Sequence, residues 1–259
     1  MKYFFVAAAI LLSQNVHAWN VKTGSMSEWL PQVSVNEKAQ SQLGLYFGQR
    51  NRAELEVYGN NLLKIYKQQL LKGLKDSGVE TDSACATNTK VDFAKDLSRS
   101  SRNDEQEFES EILQLDSLDC FASGNLEKAT SVFFSDSFQL KAFTDMQASK
   151  SDENSNRVCQ KTSVLLLGNS DYCTQLSMWR DDSTVIVISI NEYNAENVKA
   201  PVYLRLVSTV FHKTSDGRIK LYSLTYGRGP NLPFHSVVKS VVTKQHQAFV
   251  QQFSKAIAP

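Results

Sequence analysis

"VYLRLVSTVFHKTSDGRIKLYSLTY", residues 202–226, is the stretch that decides the fold. Two runs rich in β-branched and aromatic residues, 202–213 and 218–226, flank Thr214-Ser215-Asp216-Gly217, and Asp-Gly between such runs signals a hairpin. The core is therefore an antiparallel sheet. Upstream, "STVIVISI" (183–190) is a continuous apolar run, the pattern of a strand covered on both faces. Downstream, Val238, Val242, Gln245, Phe249 and Phe253 step by three or four, so the chain closes with an amphipathic helix laid on the sheet.

The earlier part of the chain reads differently. Leu55, Tyr58, Leu62, Tyr66, Leu70 and Leu74 place one apolar stripe along a helix over 53–75, stopped by Asp76-Ser77-Gly78. Residues 79–102 are polar with little period and read as a loop pinned by Cys85. From Asp104 the spacing of Phe108, Ile112 and Leu115 is helical again, and two short helical segments are expected over 126–134 and 138–147. "SKSDENSNR" (149–157) is polar and marks the boundary where the period changes. The expected fold is α+β: a helical region over 19–148, a polar linker over 149–157, and over 158–259 an antiparallel sheet of four or five strands packed by a C-terminal helix. No internal repeat supports a solenoid.

Lys2, the apolar run Phe4–Leu12 and Val16-His17-Ala18 have the layout of a cleavable export signal over 1–18. No later stretch approaches the ~20 apolar residues of a membrane-spanning helix. The expected location is periplasmic or secreted, where the four cysteines, Cys85, Cys120, Cys159 and Cys173, would form two disulfides. Pairing neighbours, Cys85 with Cys120 and Cys159 with Cys173, closes the shortest loops. That pairing conflicts with a tight hairpin around Gly168–Asp171, which would set Cys173 opposite Leu166, about seven residues and roughly 20 Å from Cys159 at strand rise. With no C-x-x-C and no histidine pair at ligand spacing, neither metal nor other cofactor is expected.

Charge is unevenly distributed although it nearly cancels overall. Asp104–Glu153 carries twelve acidic residues against three lysines, and Lys199–Pro259 carries nine basic residues against Asp216 alone. Either the middle segment docks on the tail, or the tail leaves a cationic surface open to an anion. Nucleic acid is a poor candidate partner, because net charge is near zero and no binding motif is present. Gly227-Arg228-Gly229 follows a predicted strand and precedes a helix, where Arg228 and free helix N–H groups could grip a carboxylate or phosphate; the glycines equally suit a plain turn.

Among the other candidates, His212 and His235 sit at strand ends, Asp181-Asp182 reads as a turn, and His246 lies on the wetter side of the last helix. Tyr203, Phe211, Tyr222 and Tyr226 suggest an aromatic surface with Arg205 and Lys220 at its margin. Elbow and zincin motifs are missing. The sequence thus points to an exported, non-catalytic binding protein of the cell envelope or secreted fraction, with Arg205, Lys220, Arg228 and His235 on a basic, anion-receptive C-terminal surface. Its alternatives are a secreted hydrolase using Asp or Glu with His212 or His235, and an envelope assembly factor that binds another protein through its helical region.

Overall fold

The computed structural model describes residues 20–23, 26–35, 52–95, 111–122, 124–134, 146–152, 156–164, 168–193, 204–228 and 234–258. In chain order the elements are β1 (Val21–Thr23), the single-turn helix α1 (Met26–Trp29) continued by a 3-10 turn (Leu30–Gln32), α2 (Arg52–Ser77), β2 (Asn88–Lys95), β3 (Glu111–Phe121), α3 (Leu126–Phe134), β4 (Met146–Asp152), β5 (Arg157–Val164), β6 (Gly168–Arg180), β7 (Thr184–Tyr193), β8 (Leu204–Lys213), β9 (Ile219–Arg228) and α4 (His235–Ile257). The export signal over 1–18, the start of the expected helix over 138–147, and Tyr203 lie outside the described residues.

The β8–β9 hairpin forms where the sequence places it. Gly217 takes a left-handed φ of 82°, which an L side chain rarely adopts. The Asp216 carboxylate accepts from Thr214 Oγ1 at 2.5 Å and from Arg218 Nε at 2.7 Å, closing the turn. From this hairpin the sheet grows in both directions, in the order β2-β3-β9-β8-β7-β6-β5-β4, with β1 added parallel to the end of β6. Asn156, at φ 50°, makes that addition possible. Its carboxamide exchanges two hydrogen bonds with the Asn20 backbone, at 2.8 and 2.9 Å, and so extends the ladder past the end of β5.

The sheet is larger than the four or five strands expected, and the region over 19–148 is not helical throughout. The segment after Asp104 ends in a strand: β3 pairs with β2 on one side and β9 on the other. The physical reason is burial on both faces. Ile112 and Leu118 point one way, and Ser117, Asp119 and Phe121 the other, all buried, so the period of two is lost and a helical spacing of Ile112 and Leu115 appears by coincidence. The polar stretch expected as a loop contains β2, an edge strand. Residues 149–157 do not separate a helical part from a sheet: β4 runs through 146–152 and pairs with β5, so the polar stretch connects the two strands of a hairpin.

Both neighbour disulfides form, Cys85–Cys120 and Cys159–Cys173. The tight hairpin around 168–171 is what gives way. β6 begins at Gly168, directly opposite Val164, and this register sets Cys159 opposite Cys173.

The two faces of the sheet are covered by different helices. On one, α2 buries Leu62, Tyr66, Leu70 and Leu74 against Ile186, Ile188, Leu206, Val210, Tyr222 and Leu224. Tyr66 is fully buried; its hydroxyl donates to the Leu224 carbonyl at 2.8 Å and lies 2.7 Å from Ser208 Oγ, while burial holds the phenol well above its usual pKa. A Cβ at Gly73 would fall on the Tyr222 hydroxyl, so glycine is what lets α2 approach this closely. On the other face, α3 and α4 cover Phe121, Val185, Val187, Phe211, Ile219 and Leu221.

Candidate functional site

The α4 face is packed along only half its length. Val238, Val242, His246, Phe249, Phe253 and Ile257 form one stripe at intervals of three or four, and a helix that packed uniformly would bury all of them. Instead the buried residues of α4 are His246, Phe253 and Ile257, whereas Val238, Val241 and Val242 are each half-exposed.

At the C-terminal end an aromatic plug joins α3, α4 and the sheet. Ring centroids of Phe121 and Phe253 lie 5.2 Å apart, those of Phe133 and Phe211 5.2 Å, and those of Phe249 and Phe253 5.7 Å. At the N-terminal end α4 is held to the edge strand. Lys239 Nζ reaches Asp92 Oδ1 at 2.7 Å, and His235 stacks on Phe93 with centroids 4.0 Å apart. The Lys239 ammonium, with the Phe93 backbone N–H, holds the Asp92 carboxyl below the usual carboxylate range. Between these two attachments the helix spans the sheet.

Register defines what lies beneath. Three successive rows cross β3, β9 and β8: Ser117, Ser223 and Thr209; then Leu115, Thr225 and Val207; then Leu113, Gly227 and Arg205. The first row is buried, and the leucines, Thr225 and Val207 are half-exposed. A Cβ built on Gly227 meets nothing within 4 Å, so the third row opens into free space. The partly exposed apolar side chains of this face, Leu113, Leu115 and Val207, and those of α4, Val238 and Val242, thus belong to the part of each element that lies away from the phenylalanine plug.

The end at the plug is polar. Asp119 and His246, 1 % and 8 % exposed, meet through His246 Nε2 and Asp119 Oδ2 at 2.9 Å, and this pair fastens α4 to β3 where the tight packing begins. Ser117, two residues before Asp119 and 1 % exposed, has a hydroxyl with no hydrogen-bond partner. Buried polar groups left unpaired are uncommon and costly, and the Tyr222 hydroxyl on the opposite face is unpaired as well.

Of the four residues singled out from sequence, Arg205 and His235 belong to the row of Gly227, whereas Arg228 falls by alternation on the α2 face with Ile112, Tyr222, Leu224 and Tyr226. Arg205 is in register with Gly227, Arg228 ends β9 opposite Ile112, and His235 stacks on Phe93, itself in register with Leu113. Lys220 does not join them. It is 1 % exposed at the other end of β9, where its ammonium donates to the carbonyls of Gly78 at 3.0 Å and Thr81 at 2.6 Å, and burial pushes its pKa down. That side chain secures the turn after α2. His212 is likewise buried and sits 3.0 Å from Thr184 Oγ1, with burial lowering its pKa.

Sequence reading placed Gln245 rather than His246 on the helix stripe and missed both Asp119 and Ser117. The steps 242, 246, 249, 253 fit a helix as well as 242, 245, 249, 253, and only the partner strand decides between them. A second recess, of about 460 Å³, opens beside β1 and is lined by Asn20, Val21, Lys22, Asn156, Leu176, Ser177 and Met178. Its asparagines bond each other. Among the described residues no group of three or more histidine, cysteine or acidic side chains is placed to hold a metal, and no helix is long and apolar enough to cross a membrane.

No family model matches the chain, and no curated protein matches it in sequence. Among solved structures it is similar to human STARD10 (8 % identity, 67 % of this chain and 71 % of that one, TM-score 0.46). Human StAR-related lipid transfer protein 5 is similar at 12 % identity over 73 % of this chain and 95 % of that one, with TM-score 0.46. A START superfamily protein from Mycobacterium smegmatis is similar at 6 % identity over 56 % of this chain and 96 % of that one, with TM-score 0.42.

Proposed function

We propose that the protein is a non-catalytic binder of a small amphiphilic molecule, which lies in a groove between the N-terminal half of α4 and the sheet. The observation that carries this reading is that Val238 and Val242 on α4 and Leu113 and Leu115 on β3 are half-exposed, whereas Phe253 and Ile257 further along α4 are buried. Apolar walls with few polar groups and a preformed opening are what small-molecule sites require. An acidic end of such a ligand would face the row of Gly227, to which Arg205 and His235 belong. The two disulfides support an exported, periplasmic or secreted setting.

The other two readings have less support. A hydrolase using His212 would need that ring accessible, and it is buried against Thr184. An assembly factor acting through a separate helical region would need a free helical surface, and the stripe of α2 is already packed on the sheet.

Calorimetric titration with dodecanoate tests the proposal. Wild type is expected to bind, and Val242→Trp, which fills the groove, to weaken binding at least tenfold. Val57→Trp, on the exposed side of α2, serves as the control and is expected to bind as wild type does. Equal affinity in all three proteins contradicts the proposal.

A further inference from the structure

The Cys85–Cys120 disulfide has a buried cation for a neighbour. Cys120 is directly opposite Lys220 in the β3–β9 register, which puts both side chains on the α2 face with Cβ atoms about 5 Å apart. The Lys220 side chain, 1 % exposed, runs toward the segment after α2, where its ammonium donates to the Gly78 and Thr81 carbonyls and lies 3.4 Å from Ser83 Oγ. Cys85 follows Ser83 by two residues and packs against the same core. Lys220, Cys120, Cys85 and Ser83 thus close a ring, with the sulfur–sulfur bond on one side and the ammonium on the other.

The acceptors of this ammonium are all uncharged. The carboxylates whose charge reaches it are bonded elsewhere: Asp82 accepts from the Ser215 backbone N–H at 2.8 Å, and Asp216 from Thr214 Oγ1 and Arg218 Nε. A buried cation bonded only to neutral groups acts strongly on a negative charge that forms beside it. Thiol–disulfide exchange forms such a charge: a thiolate attacks one sulfur and the other leaves as a thiolate, faster the lower its pKa, and a neighbouring lysine lowers that pKa. The two sulfurs also differ in setting. Cys85 is half-exposed among exposed Ser83, Ala84, Ala86 and Thr87, whereas Cys120 lies within β3 between buried Asp119 and Phe121.

We propose that Cys85 is a site of reversible S-thiolation by a small external thiol. The incoming thiolate attacks Cys85 Sγ; a new sulfur–sulfur bond forms there as the Cys85–Cys120 bond breaks, and the electron pair of that bond leaves on Cys120 Sγ as a thiolate beside the Lys220 ammonium. One disulfide is exchanged for another, so no oxidant or reductant is consumed. Return attack by the Cys120 thiolate on Cys85 expels the small thiol and restores the bridge. Exchange unties the segment after α2 from β3 and leaves Cys159–Cys173, in the β5–β6 pair, in place.

Incubation of the intact, disulfide-bonded chain with reduced glutathione, followed by acid quench, alkylation and peptide mass mapping, tests the assignment. Glutathione is expected on Cys85 and the alkylating group on Cys120. The reverse labelling, or no adduct at Cys85 once Cys159–Cys173 has opened, overturns the proposal, and neither result needs a variant. Lys220→Met is expected to slow adduct formation at Cys85 about tenfold while the opening rate of Cys159–Cys173 is unchanged, and Lys220→Arg, which keeps the charge, to retain most of the wild-type rate. A purely structural role for Lys220 predicts the opposite sign, because losing the hydrogen bonds that hold the turn would loosen the loop and speed attack. A rate at Cys85 that rises or stays level in Lys220→Met therefore overturns the proposal.

Discussion

The two faces of one sheet solve the same packing problem to different degrees. Under α2 the stripe from Leu62 to Leu74 is buried throughout, the Tyr66 hydroxyl is bonded to Leu224 and lies against Ser208, and Lys220 closes the far end on carbonyls. Under α4 the buried residues are His246, Phe253 and Ile257 while Val238, Val242 and Phe249 are half-exposed, and each face leaves one buried hydroxyl without a partner, Tyr222 under α2 and Ser117 under α4. Both helices carry the necessary apolar residues. What differs is where each is anchored: α2 lies along the sheet centre, whereas the start of α4 is drawn to the β2 edge by Asp92 and Phe93. A helix tethered at an edge cannot also press its valines onto the central strands.

Truncation is the hardest test of that contrast. Leu70→Ala, at a site with no exposure, is expected to cost about 2–5 kcal/mol in chemical denaturation. Val242→Ala, at a half-exposed site on the other face, should cost under about 1 kcal/mol. Comparable losses at both positions would mean that the α4 face is as tightly packed as the α2 face.

A sharper and smaller effect comes from two glycines in the same helix. Gly73→Ala is expected to destabilise by roughly 1–3 kcal/mol, because the new methyl group meets the Tyr222 hydroxyl. At Gly59 the new methyl meets only Val35, at 3.6 Å and beyond, so Gly59→Ala should stabilise by about 0.5–1 kcal/mol through helix propensity. If both substitutions shift the denaturation midpoint in the same direction, the close approach of α2 to the sheet is wrong.

Hydroxyl removal should change sign between a paired and an unpaired hydroxyl. Ser208→Ala, beside Tyr66, is expected to cost about 1 kcal/mol, and Ser117→Ala to stabilise the unliganded protein.

Acid sensitivity belongs to the packed face. Burial lowers the His212 pKa from its ordinary 6.5, so the folded state prefers the neutral ring. The unfolded chain then binds the extra proton first, and stability falls as pH drops below 6.5 toward the lower folded value. Tm measured from pH 7.5 to 5 should decline less in His212→Gln than in wild type. An unchanged slope would assign the acid sensitivity to other groups.

The elements most legible in the sequence were those with one unambiguous partner. The β8–β9 hairpin follows from Asp216-Gly217, α2 from its stripe, and the Cys85–Cys120 bridge from short loops in an oxidising setting. β2 and β3 were not legible. An edge strand resembles a polar loop, and a strand covered on both faces has no period to read. Of the site, only Arg205, Gly227 and His235 were legible. Alternation assigned Lys220 a face but not its burial, and nothing local to Ser117 or Asp119 reveals that a helix more than 120 residues away ends its tight packing there.

The most direct measurement is the set of intermolecular NOEs between the methylene chain of dodecanoate and the protein's methyl groups. NOEs to Leu115, Val207 and Val242, with none to Leu62 or Leu70, are the expected result. NOEs confined to the α2 face, or to surface methyl groups such as Val57, would contradict a ligand channel beneath α4.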